Sequence, residues 1–310
     1  MSLDFKNIQT KTFVDIPSSE PRVRIPLPRV GISNRPAVFK LKNPLNAEIM
    51  GMPSNLRVAA SLPATQRGIH MSRIEECMDE LKESGLSPAD FSMQLARLIL
   101  KTQNQTSCIV EIDSTIENRV NKNKSGKAST EIIKFHSYAE IKDGTENLKV
   151  GVTVPFMNAC PCTQRWAMRD FYNLLSQKGL DEEKVQELVK HAPLQAHTNG
   201  GEATLFLSGS DLCHADIYKV LESSVPIIRE MLKGIDEHTF VRMTHEQGQF
   251  CEDNIRAIAQ KTVEILTDKV APTAIVSIKV EVNESVHFHN LWAEMEKSFS
   301  DLSDEINQAL

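Results

Sequence analysis

Apolar residues fall in two rhythms along this chain. Near its end Val276, Ile278, Val280 and Val282 alternate with Ser277, Lys279, Glu281 and Asn283, the period of two expected of a strand with one buried face. Short runs rich in branched residues and bounded by Pro, Gly and Asn predict strands over 23–32, 37–41 and 56–62. The same signals predict strands over 108–112, 132–141, 148–156 and 203–207, and a last one from Ala274 to Glu284. Elsewhere the period is helical. Phe91, Leu95, Leu98 and Ile99 share a face, and Ser87-Pro-Ala-Asp90 puts Pro88 at the first helical position of a segment over 87–101. The segment 72–82 opens with Ser72-Arg-Ile-Glu75, a capping-box pattern. Further helices are predicted over 165–178, 181–191, 213–233 and 249–267.

Long helices gathered between pairs of strands predict an α+β fold with antiparallel sheets rather than βαβ units. The second half loosely repeats the first. The chain therefore divides into a lead-in (1–20), a first module (21–153) and a second module (154–310).

With 310 residues, 41% hydrophobic and 25% charged, the chain can bury a large core. No apolar run approaches the ~20 residues that cross a bilayer. The first residues, MSLDFKNIQTK, lack the apolar block of a signal peptide. The expectation is a cytoplasmic protein with no membrane segment. Six cysteines in such a chain are expected to be free thiols, with any exception a metal ligand or a catalyst. A net charge of −6 argues against nucleic acid as a partner but leaves room for a phosphorylated substrate in one basic pocket.

Five places carry candidate chemistry. In Val154-Pro-Phe-Met-Asn-Ala-Cys-Pro-Cys-Thr-Gln164 two thiols flank a proline at a strand end, where Pro161 is expected to enforce an extended bend. Two thiolates one residue apart rarely chelate one tetrahedral metal, so one ligand or nucleophile is expected here; two buried thiols are the alternative. Glu284 falls on the apolar parity of its strand, which aims a carboxylate at the core unless the strand ends at Asn283. His287 and His289 follow closely. Glu252 borders the apolar stripe Ile255, Ala259, Val263 and Leu266, although a helix dipole also favours a first-turn carboxylate. Gln66-Arg-Gly-Ile-His-Met-Ser-Arg73 offers Arg67, His70 and Arg73 beside a helix start, a set suited to phosphate or simply to solvent. His197 lies in a loop, Gln-Ala-His-Thr-Asn-Gly-Gly.

Val14-Asp-Ile, Arg29-Val-Gly-Ile, Leu62-Pro-Ala, Gly68-Ile-His-Met-Ser-Arg73, Cys160-Pro-Cys and Glu284-Ser-Val-His287 stand in this order along the chain, which thereby resembles the type IB GTP cyclohydrolases. The resemblance implies a tunnelling fold of two ββαα-type modules per subunit. It also implies a homotetramer (a homo-oligomer with active sites at subunit interfaces) and a divalent metal, Mn, Fe(II) or Zn. By the same resemblance Cys160, His197 and Glu237 would hold the metal. Glu237 sits in Asp236-Glu-His-Thr-Phe-Val, ahead of a strand-like Phe-Val segment.

Glu252 would grip guanine, and Arg67, His70 and Arg73 the triphosphate. Glu284 with His287 or His289 would position water and shuttle protons. The implied reaction hydrolyses GTP to 7,8-dihydroneopterin triphosphate and formate, the first step of pterin and folate synthesis. An archaeal-type cyclic phosphate product and a non-enzymatic binding protein are the alternatives. Two departures stand out. The usual His-Asn-Gln-Arg is His197-Thr-Asn-Gly here, and residues 165–194 form a longer helical insertion than in many members.

Overall fold

The computed structural model describes residues 15–121, 123–192, 195–209 and 213–309; Val14 of the first motif lies outside them. The first half runs β1 (Leu27–Lys42), β2 (Ile49–Leu62), α1 (Met71–Leu81), α2 (Pro88–Gln103), β3 (Ser107–Val120) and β4 (Ser129–Lys142). The second repeats this ββααββ order with insertions. It runs β5 (Thr145–Ala159), α3 (Pro161–Gln177), α4 (Glu182–His191), β6 (Thr198–Ser208), α5 (His214–Ser224), α6 (Gly234–Glu246), α7 (Cys251–Leu266), β7 (Ile275–Asn283), β8 (Leu291–Ser298) and α8 (Phe299–Ala309). The expected module boundary at 153/154 lies inside β5. That strand begins earlier because Asp143 and Gly144, both at positive φ, make the tight hairpin turn that joins it to β4.

Among the described residues, eight strands form one antiparallel sheet in sequence order, β1 to β8. Register aligns Val58 with Val110, Val110 with Ala139, Phe135 with Val152, Val152 with Leu205 and Leu205 with Ile278. These positions are all buried, so one apolar face runs across the sheet and α1, α2, α5 and α7 pack against the core. The result is the α+β architecture of a tunnelling fold.

Several local expectations change. Segments 23–32 and 37–41 merge into one bulged strand, β1. Helix α1 starts one residue earlier, with His70 rather than Ser72 at the N-cap position and no side-chain cap, and Glu75 instead forms a two-pronged ion pair with Arg35. Pro161 enforces no bend between the thiols. It occupies the first position of α3, where its missing N–H costs nothing. The expected helix 213–233 stops at Ser224, because Pro226 cannot continue it. The Phe-Val segment after Glu237 is helical, within α6. Helix α6, strand β8 and helix α8 had no counterpart among the expected elements.

Candidate active site

Two antiparallel neighbours, β5 and β6, meet end to start: Ala159 pairs with Thr198. Cys160 therefore leaves the end of β5 beside His197, and its N–H donates to the His197 carbonyl at 3.1 Å. Gly201 keeps this corner tight, since a Cβ there would fall 2.4 Å from the Glu281 carbonyl on β7. Strand β7 does end at Asn283. Glu284 is nevertheless buried, its side chain 6% exposed, with one oxygen (Oε2) 4.0 Å from His197 Nδ1. That oxygen has no hydrogen-bond partner. The other, Oε1, accepts from Asn199 Nδ2 at 2.8 Å.

Cys160 caps α3. Burial pushes its thiol up, but hydrogen bonds from the Thr163 N–H and hydroxyl and the Cys162 N–H, together with its contact to the His197 ring, outweigh burial and hold it below the ordinary thiol value. Cys162, one helical step on, is exposed. The corner thus brings together a thiol inclined to ionise, an imidazole and a carboxylate oxygen without a partner. These groups suit a divalent ion of intermediate softness, and a buried carboxylate oxygen without a donor calls for a ligand or water.

Glu237 is not part of this cluster. It lies exposed in the first turn of α6, and among the described residues no group of three His, Cys, Asp or Glu side chains forms a ready metal cage. Its neighbour Asp236 is buried instead and accepts from the Ser125 N–H (3.0 Å) and hydroxyl, pinning α6 to the β3–β4 hairpin. Glu252 is exposed in the first turn of α7; the free N–H of Phe250 is taken by Asp253, at 3.1 Å. His287 and His289 stack, ring centres 5.2 Å apart, on the exposed β7–β8 loop.

A wedge orders this end of the sheet. Beyond Thr153, β5 no longer pairs with β4, and residues 226–230 fill the gap. Ile228 N donates to Pro155 O and Met157 N to Pro226 O on one side, while Glu230 and Thr130 exchange backbone bonds on the other. Glu131 locks the wedge. Its side chain is 0% exposed and accepts from Arg229 Nε at 2.9 Å, Asn118 Nδ2 at 2.6 Å and the Tyr218 hydroxyl. The sequence carried the signal for Glu131, which shares the parity of buried Ile133 and Phe135. Asn199 carried no comparable signal, because a polar residue that braces a site looks ordinary in sequence.

Arg67, His70 and Arg73 lie elsewhere. His70 is clamped through its backbone by the Gln103 side chain, and its ring meets Ser18 Oγ at 3.1 Å. Arg73 donates to Thr102 O, and Arg67 is exposed. These residues follow the end of β2, where the sheet also holds the starts of β3 and β5. The Cys160 corner sits where β5 ends, β6 starts and β7 ends. The two sets thus occupy opposite ends of the sheet. β5, which runs from one end to the other, has 15 residues, an extended length of roughly 50 Å at ~3.4 Å per residue.

"GTP cyclohydrolase MptA" of Methanococcus maripaludis (strain C7) is 29% identical over 308 residues, covering 94% of this chain and 97% of that one. The protein of the same name from Methanocaldococcus jannaschii is 29% identical over 306 residues, with the same coverages. Among solved structures, the uricase of Arthrobacter globiformis aligns over 87% of this chain and 93% of that one, at 8% identity and TM-score 0.49. Residues 13–293, which include every candidate position named above, match the family model described as "Type I GTP cyclohydrolase folE2", and the chain belongs to that family.

Proposed function

We propose that this chain is a metal-dependent GTP cyclohydrolase of type IB that releases formate from GTP and yields 7,8-dihydroneopterin triphosphate for pterin and folate synthesis. The observation that carries the reading is the convergence of Cys160, His197 and the uncommitted Glu284 oxygen at one strand junction, in a member of this family. Cys160 and His197 would hold a divalent ion (Mn, Fe(II) or Zn); Glu237 is the third ligand by family resemblance only, since it lies outside this corner in the structure. The chemistry such an ion supplies when bound is Lewis-acid activation of water for attack on the guanine ring.

The protein's own groups do the rest. Glu284 accepts and returns the proton of the attacking water through its free oxygen, with His287 or His289 nearby as a relay. Glu252 accepts two hydrogen bonds from the guanine N1–H and amino group, a match that adenine cannot make. Arg67, His70 and Arg73 hold the triphosphate.

A strand length of roughly 50 Å cannot be bridged by one GTP. The phosphate-binding set therefore serves the Cys160 corner of a neighbouring copy, and the working unit is a homo-oligomer, a tetramer by family resemblance. The open edges at β1 and β8 give such copies a surface on which to pair. Near-complete coverage of the archaeal relatives favours a second reading, an archaeal-type cyclohydrolase giving a cyclic phosphate of dihydroneopterin. Incubation with GTP and Mn(II) or Fe(II), then mass analysis of the oxidised fluorescent pterin, separates the two products. Absence of both formate and pterin would overturn the enzyme reading.

A further inference from the structure

We propose that Asn199 is the positioning residue of this site, a single amide that fixes the protonation of the His197 ring and holds Glu284 in place. Asn199 is 4% exposed and is the second residue of β6. Its Nδ2 donates to Glu284 Oε1 at 2.8 Å, and its Oδ1 accepts from the Ser285 N–H at 3.0 Å. A carboxylate accepts and a backbone N–H donates, so these partners leave the amide one orientation. Its Oδ1 also lies 3.3 Å from His197 Nδ1. An acceptor there requires Nδ1 to carry the proton, and the Ser285 hydroxyl, also 3.3 Å from Nδ1, can accept from it as well; Nε2 of the neutral ring is then bare, to accept from the Cys160 thiol or bind a metal. The same amide occupies only one Glu284 oxygen, so Oε2 stays buried and uncommitted. One side chain thus sets the presented atom of both an imidazole and a carboxylate.

The tautomer argument stands on the metal-free protein; only the purpose of Nε2 rests on the metal-site reading. The test uses the full chain, labelled with ring-15N histidine, and a Co(II) titration of the metal-free protein. Wild type should show His197 protonated at Nδ1. Asn199→Leu should lose that signature and weaken Co(II) binding roughly 10- to 100-fold. Should Asn199→Leu fail to fold, Asn199→Ser, which leaves room for water, is read in the same two ways. A wild-type ring bare at Nδ1 overturns the proposal, as does a folded variant with an unchanged tautomer or unchanged Co(II) affinity. If wild type binds no Co(II), the metal-site reading fails, and the ring spectrum alone then decides for or against Asn199.

Discussion

The composite site can be tested by mixing two inactive chains. One carries Arg67→Ala with Arg73→Ala, which removes the proposed phosphate-binding side chains; the other carries Cys160→Ala, which removes the thiol of the corner at the opposite end. Both changes spare the core, since Arg67 and Cys162's neighbour Cys160 lie outside the buried cluster and Arg73 contributes one bond to Thr102 O. If each site combines the first-half residues of one copy with the corner of its neighbour, an equal mixture makes a wholly native site when two independent choices both fall right. Each has a chance of one half, so activity should recover to about 25% of wild type whatever the size of the ring, given random exchange and independent sites. A site contained in one chain predicts none, because every chain lacks one part. The assay is pterin fluorescence after oxidation, with native mass spectrometry to confirm mixed assemblies. Mixed assemblies without activity, or a stable active monomer by light scattering, would refute the reasoning.

Cys160→Ala should remove most bound metal and nearly all activity, while Cys162→Ala, at an exposed thiol one step into α3, should retain metal; equal loss on metal analysis would overturn the one-ligand assignment. Glu252→Gln should raise the KM for GTP roughly 10-fold or more, since guanine donors would face a donor at ~1–3 kcal/mol each; Asp253 still takes the Phe250 N–H, so thermal melts should change little, and an unchanged KM would refute the guanine contact. His214 is buried against the His136 carbonyl at 2.9 Å, and burial lowers its pKa to about 4. The unfolded chain, near 6.5, binds its proton first, so stability falls as pH drops from about 6.5 to 4, by up to ~3 kcal/mol. Urea titrations of His214→Gln should show a shallower fall across that window; an equal slope would refute the assignment.

Sequence alone determined what depends on near neighbours. The alternation from Val276 to Val282 became β7, and Ser87 caps α2 by accepting from the Asp90 N–H at 3.1 Å, because pleat and cap geometry act within a few residues. Motif order carried the family. Tertiary structure decided the rest. Ser72 looked like a cap until Arg35, forty residues away in β1, claimed Glu75. Glu284 stays buried although its strand has ended, because Asn199, eighty-five residues earlier, holds it. The separation of Arg67, His70 and Arg73 from Cys160 follows from strand order, since each antiparallel return exchanges the two ends of the sheet. Local patterns are set by contacts a few residues apart, whereas partners and ends are chosen by pairings across the whole chain, which no local window contains.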